Sequence, residues 1–296
     1  MKKDIIISVD IGGTTFESAI LDRDYLNIID MSSKWHVRDY SDSESLLEAI
    51  SSQISDLLDK NQIDKNKIHG LSVACPGPLD SKNGIILNTP NLKLFRNYAL
   101  KEKLKEHFDC KISVENDANL FALGEWFLGH QEEKIFIGVT LGTGLGFGLI
   151  INGEIFTGKN GMAAEYGLSS CEWGIWEDRI SLEYLKSEIE KVYGQRISPR
   201  EIQKYALDGD FKGKKIFNDF GRNVGLALSH VVNMLDPGAI IFGGGLSKAF
   251  RLYEKAMAES ITENSPIFKR NPCNLKESAF KSKSHMVGAA LNLKRR

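Results

Sequence analysis

The chain carries DIIISVDIGGTTFESAIL at residues 4–21 and a stretch of the same plan, KIFIGVTLGTGLGFGLII, at 134–151. In the first, Asp4 to Asp10 is rich in β-branched residues and reads as a buried strand. Phe16 to Leu21 reads as its hairpin partner across Asp10-Ile11-Gly12-Gly13-Thr14-Thr15. In the second, Lys134 to Leu141 is a strand, Gly142 to Gly148 a glycine-rich turn, and strand resumes at Leu149 to Ile151. Two such hairpins, over a hundred residues apart, point to a duplicated α/β unit whose halves each offer a turn to phosphate groups. Gly12 and Gly13 let backbone N–H groups approach an anion, and Thr14 and Thr15 add hydroxyl donors. An ordinary hairpin turn uses the same residues. Asp10, at a strand end beside that turn, suits Mg²⁺ held through bound water. The second turn lacks G-x-G-x-x-G spacing and no helix follows it, which excludes a dinucleotide fingerprint.

Between the hairpins lies ISVENDANLFAL, residues 112–123. Ile112 to Val114 end a strand, and Leu120 to Leu128 carry apolar residues at helical spacing, so a helix is expected from Ala118. Glu115, Asn116, Asp117 and Asn119 crowd this strand-to-helix junction, where α/β sheets bind ligands. An N-cap would use the same residue types. A phosphate-binding chain also needs a base, and Asp117 is the candidate.

The remaining pattern is read as alternating strands and helices. Tyr25 to Ser33 is a third strand and Ser43 to Asp59 an amphipathic helix, with Leu46, Leu47, Ile50, Ile54, Leu57 and Leu58 on one face. Ile68 to Ala74 is a strand running into Pro76-Gly77-Pro78, followed by the polar loop Asn88-Thr89-Pro90-Asn91-Leu92 and a helix from Asn97 to His107. The loop's amides suit the hydroxyls of a small polar ligand, although turn chemistry alone explains such residues more often. Later come helices at 181–193, 202–207 and 214–235, and a buried strand at 239–242. Gly243-Gly244-Gly245 then opens a helix from Leu246 to Ile261, a seat for a nucleotide, and a last helix spans His285 to Leu293.

Composition narrows the function classes. The 296 residues suggest two domains, and 38 basic against 39 acidic residues give no electrostatic case for nucleic acid or an anionic membrane. No apolar run approaches the roughly 18 residues that span a bilayer. Cys75, Cys110, Cys171 and Cys273 are scattered, without C-x-x-C spacing, which favours a reduced, cytoplasmic protein. The six histidines share no metal spacing and are expected on the surface or in the core.

DIGGTT at 10–15, PGP at 76–78, NTPN at 88–91, ENDAN at 115–119, LGTGLG at 141–146 and GGG at 243–245 occur in this order, and together they resemble the ROK family. That family comprises sugar kinases and related repressors. The resemblance spans nearly the whole chain. It implies an α/β, two-lobed actin-like ATPase fold of duplicated RNase H-like topology, with the active site in the interlobe cleft. An N-terminal lobe at 1–117, joined by the C-terminal helix 285–296, and a larger lobe at 118–284 are expected. The resemblance implies ATP and Mg²⁺, with phosphates against Asp10, Gly12, Gly13, Thr14 and Thr15 and against Gly142, Thr143 and Gly144. Adenosine falls near Gly244 and Gly245. Asp117 matches the catalytic base, Asn116 a sugar ligand, and Asn91 and Thr89 the sugar-contacting loop. Glu165 matches the glutamate of the family's G-E-I-G-H element, and Glu177 the glutamate after its cysteine cluster.

Three departures stand out. Thr15 replaces a usual lysine, Leu168 replaces the histidine of G-E-I-G-H, and of the cysteine cluster only Cys171 remains. Leucine cannot bind zinc and one thiolate makes no tetrahedral site, so no zinc is expected. Trp173 and Trp176 are expected to close that loop by packing. The expected activity is ATP-dependent phosphorylation of the 6-hydroxyl of a hexose or N-acylhexosamine, glucokinase- or N-acetylmannosamine kinase-like, by a homodimer. The alternatives are a catalytically degenerate sugar-binding or regulatory protein, a repressor (disfavoured because the chain opens directly on its first strand), and an actin- or chaperone-like ATPase.

Overall fold

The computed structural model describes residues 4–295. The elements that carry the site are, in chain order, β1 (Ile5–Ile11), β2 (Thr15–Asp22), α1 (Ser43–Lys60), β3 (Ile68–Cys75), β4 (Lys111–Asn116), α2 (Asp117–Gly129), β5 (Ile135–Leu141), β6 (Leu145–Ile151), α3 (Leu182–Tyr193), α4 (Phe211–Leu235), β7 (Ala239–Gly243), α5 (Phe250–Asn264), β8 (Asn274–Glu277) and α6 (Lys283–Arg295). The chain divides into two compact units. One takes residues up to Gly129, Glu154–Ala163 and everything from Ser282; the other takes His130–Gly153 and Ala164–Lys281. A division at 117 is expected from the sequence; here α2 falls in the first unit, because its buried face lies against α6.

In the first unit β1 and β2 form an antiparallel hairpin, and β1, β3 and β4 run parallel, with Asp10 level with Ala74 and Ala74 level with Glu115. Side chains alternate across this sheet. Ile7, Val9, Ile11 and Phe16 meet Leu46, Ile50 and Ile54 of α1 in one core. Helix α1 forms where the sequence pattern puts it, and Asp42 closes a capping box with Ser45 at its start. Each buried leucine or isoleucine on its face stabilises by roughly 1.5–3 kcal/mol. The opposite sheet face carries α6, where Ser8 Oγ donates to the Met286 carbonyl at 2.8 Å. Helices α2 and α6 touch backbone to backbone: a Cβ on Gly288 would overlap the Leu120 carbonyl, and one on Gly124 the Ser284 carbonyl.

The second unit repeats the plan. Strands β5 and β6 form an antiparallel hairpin, β7 runs parallel to β5, and β8 parallel to β7. Helices α4 and α5 bury Phe217, Phe220, Val224, Tyr253 and Met257 in one core with Ile240 and Phe242 of β7. The repeated order, a hairpin followed by two parallel strands, is the duplication expected from the two glycine-turn hairpins.

Several boundaries differ from the sequence reading. Strand resumes at Leu145, within the glycine run, because Leu145 and Phe147 face the core while Gly146 and Gly148 ride between them. The helix expected at 97–107 shrinks to Leu100–Lys105, and the strand expected at 25–33 to Ile28–Met31. After the three glycines a 3-10 run, Gly245–Ala249, comes before α5, which starts at Phe250 and not at Leu246. Strand β8, NLKE, escapes pattern reading because its residues are mostly exposed and charged.

Candidate active site

In the first unit the carboxyl ends of β1, β3 and β4 bring together Asp10, Cys75, Glu115, Asn116 and Asp117. The junction between β4 and α2 is held by its own side chains. Asn116 Oδ1 accepts from the N–H groups of Ala118 and Asn119 at 2.9 and 3.2 Å, so Asn116 caps the helix and keeps its amide NH₂ for other partners. Glu115 is fully buried, and its Oε1 accepts from the Asn116 N–H at 2.8 Å and from Asn119 Nδ2 at 3.2 Å. Asp117 Oδ1 accepts from the Ala118 N–H at 2.8 Å. Asp117 is half-buried, and its carboxyl titrates above the usual aspartate value. Desolvation is the main cause; His285 acts in the lowering direction and Asp10 adds to the rise. Cys75 is fully buried, and the loss of water, with the acids around it, pushes its thiol well up, so it is unreactive.

The turn after β1 closes with the Gly12 N–H donating to the Thr15 carbonyl at 2.8 Å. Any side chain on Gly13 would overlap the Asn91 carbonyl, so this turn and the Asn91 loop lie backbone against backbone. Gly13, Thr14, Thr15 and Asn91 line one recess of about 590 Å³ together with His36 and Arg38. Thr89 does not open onto it. That residue is fully buried, its carbonyl accepting from Arg96 Nε at 2.9 Å. Asp10 fits Mg²⁺ by its chemistry: one carboxylate at a strand end beside exposed backbone amides suits a hard cation that keeps most of its waters.

In the second unit the turn between β5 and β6 is gripped from two sides. Glu177 Oε2 accepts from the Leu145 N–H at 2.8 Å, and the Leu182 N–H at the start of α3 donates to the Gly142 carbonyl at 2.8 Å. Gly167 packs against the Leu145 carbonyl, which brings the Glu165 segment to the same turn, and Glu165 itself is exposed. Gly244, at φ 83°, sits against Leu141 at the end of β5 where no Cβ would fit, and Gly245 beside it faces open space. Gly142, Thr143, Gly144, Gly244 and Gly245 therefore gather at neighbouring strand ends.

The segment from Ala164 to Trp176 does not fit zinc. Cys171 is its sole cysteine and Leu168 offers no donor; among the described residues no three His, Cys, Asp or Glu side chains come together as a metal set. Aromatic packing closes the loop instead. Trp176 is buried and stacks on Tyr166, whose ring meets Phe147 edge-on and whose hydroxyl lies 2.9 Å from His230 Nδ1. Burial pushes that hydroxyl up to about 12. Trp173, expected to share this role, is 43% exposed, with the Arg179 guanidinium 5.0 Å above its ring.

The ROK family profile matches residues 6–296. The chain belongs to the ROK family. A glucokinase from Halalkalibacterium halodurans is 32% identical over 276 residues, covering 82% of this chain and 81% of that protein. An N-acetyl-D-glucosamine kinase from Histophilus somni is 31% identical over 227 residues, covering 68% and 74%. Among solved structures, a ROK family glucokinase from Streptomyces griseus in complex with glucose and AMPPNP superposes with a TM-score of 0.82 at 26% identity, over 99% of this chain and 100% of that one. The fold is thus the actin-like, two-lobed ATPase fold of ROK proteins.

Sequence spacing gives no signal for His285. Only the packing of α6 on α2 brings it towards Asp117, 168 positions away in a chain of 296.

Proposed function

We propose that the protein is an ATP-dependent sugar kinase that phosphorylates the 6-hydroxyl of a hexose or N-acylhexosamine, with Asp117 as general base. The observation that carries this reading is the Asp117 carboxyl: half-buried, raised in pKa by desolvation, and beside Asp10 at the strand ends. Phosphoryl transfer asks a protein for positioning and for neutralisation of charge on the moving group. Asp117 accepts the hydroxyl proton as the sugar oxygen bonds to the γ-phosphorus and the bond to the ADP oxygen breaks. A base whose pKa is raised from the ordinary aspartate value is better matched to that task at neutral pH. Asn116, whose Oδ1 is spent on the helix start, has its NH₂ to offer the sugar, along with Asn91, Glu165 and Glu177, while the fully buried Thr89 drops out of that set. Gly12, Gly13, Thr14 and Thr15 in the first unit are the proposed nucleotide contacts there, and Gly142, Thr143, Gly144, Gly244 and Gly245 those of the second. Mg²⁺, held by Asp10 through water, neutralises phosphate charge when bound.

The protein works as a cytoplasmic homodimer in this reading. The alternative, a degenerate sugar-binding or regulatory ROK protein, has no need of a base with this environment. Coupled ADP release across glucose, mannose, N-acetylmannosamine, N-acetylglucosamine, allose, fructose and a β-glucoside tests the proposal. Release that depends on one sugar supports it and names the substrate. Hydrolysis without sugar, or silence across the panel, overturns it.

A further inference from the structure

The recess beside the first glycine turn is lined by two cations, Arg38 and Lys93, and by no carboxylate. Both cations stand on backbone that is held in place. The Val37 N–H donates to the Thr14 carbonyl at 2.9 Å, and His36 pairs with Thr15 across the strands, so the segment carrying Arg38 is tied to the turn. Trp35 and Tyr40, on either side of Arg38 in the chain, pack their rings on the buried Phe16 with centroids 5.9 and 6.0 Å away. Lys93 opens a 3-10 turn, Lys93–Phe95, and is flanked in the chain by Leu92, which is buried, and Leu94; Phe95 is fully buried. This loop meets the glycine turn where Gly13 lies against the Asn91 carbonyl. The charged ends themselves are uncommitted. The Arg38 side chain is 82% exposed, with Nε 3.9 Å from Asp39, the far limit of an ion pair. Among the described residues no carboxylate pairs with Lys93.

We propose that Arg38 and Lys93 form a phosphate subsite with the turn at Gly13 to Thr15, and that this subsite holds the phosphoryl group passing from nucleotide to sugar. The inference rests on the kinase reading. Gly13 and Thr14 are exposed at the tip of the turn, and amides in such a turn make a concavity for an anion. Arginine grips phosphate oxygens with a planar fork, and lysine acts on them as a point charge. A neutral hexose has no use for either charge, whereas a phosphoryl group in transfer spreads negative charge over its peripheral oxygens. The ligand is one chemical group with two carriers, the nucleotide's terminal phosphate before transfer and the sugar phosphate after it. Water screens exposed cations, so each contributes modestly and the pair more.

The test is calorimetry on the full-length protein with Mg²⁺ present, in wild type, Arg38→Gln, Lys93→Gln, the double variant and Arg38→Lys. AMPPNP and glucose 6-phosphate are the phosphate probes, and adenosine and glucose their uncharged controls. Each single loss of charge should raise the Kd of a phosphate probe by about threefold, and the double loss by at least about tenfold. Arg38→Lys keeps the charge and should recover most of the affinity, while any binding of adenosine or glucose stays within about twofold in every variant. The loss should shrink in about 1 M salt, where screening is nearly complete. A loss for AMPPNP alone assigns the subsite to the nucleotide's phosphate, one for glucose 6-phosphate alone to the sugar's, and a loss for both to the group in transit; each supports the subsite. A double variant that binds both phosphate probes as wild type does overturns it, as does a wild type that binds neither. If wild type releases no ADP with any sugar, the kinase reading falls, and weakened AMPPNP binding in the double variant still upholds the phosphate subsite.

Discussion

Glu177 Oε2 accepts the backbone N–H of Leu145 at 2.8 Å and occupies the space that a Cβ on Gly144 would need. A side chain 32 positions further on thus shapes the glycine turn between β5 and β6. Gly144→Ala would push the carboxylate off Leu145. Hydrogen bonds to charged groups contribute roughly 1.5–3 kcal/mol, and partial exposure puts this one at the low end. The KM for ATP is expected to rise at least about fivefold in steady-state assays. Glu177→Gln keeps an acceptor for Leu145 and should stay within about twofold in the same KM. An unchanged ATP KM in Gly144→Ala would separate this turn from nucleotide binding.

Asp117→Asn removes the proposed proton acceptor and keeps the shape. Turnover is expected to fall at least about a hundredfold, the lower end for general-base loss, while sugar affinity by calorimetry largely survives. In wild type the acid limb of kcat should lie above the ordinary aspartate value of 3.8. Near-normal turnover in the variant would remove Asp117 from the chemistry.

The same substitution should stabilise the fold at neutral pH. Desolvation raises the folded-state pKa of Asp117 above its unfolded value, so the folded protein holds the proton more tightly. The stability that Asp117 contributes is full below the unfolded pKa and is lost as pH rises through the folded one. Asparagine has no charge to desolvate. Melting curves should show Asp117→Asn higher by at least about 2 °C at pH 7.5, with the gap closing as pH falls towards 4. A gap that widens on acidification would reverse the sign of the shift.

The loop from Ala164 to Trp176 should be indifferent to chelation. Its closure comes from Trp176, Tyr166 and Phe147. Dialysis against a strong chelator is expected to move the melting temperature by less than about 1 °C, whereas domains held by a structural metal unfold on such treatment. Trp176→Ala should lower it by on the order of 10 °C, from a core truncation of about 3–5 kcal/mol. Stoichiometric zinc in the purified protein, by mass spectrometry, would contradict this account.

Much of the architecture is legible in the primary structure because it rests on periodicity. The two hairpins, the α1 face and the capped start of α2 follow from alternation, 3.6-residue spacing and polar residues at a junction. Elements without an apolar period escape. Strand β8 is charged and exposed, and the 3-10 run at Gly245–Ala249 looks like the start of α5 until its hydrogen bonds are seen. Trp173 and Trp176, three residues apart in one motif, take opposite positions, one exposed and one buried, because burial depends on the partner surface and not on residue type.

The amino-acid order alone determined the ROK resemblance, the duplicated plan and the candidate base, since each is written in local spacing. Tertiary structure decided what surrounds that base. Burial raises Asp117, a helix from the far end of the chain brings His285 towards it, and Glu177 reaches back to hold a glycine turn. Local pattern cannot report such effects, because desolvation and charge are set by groups close in space that lie far apart along the chain.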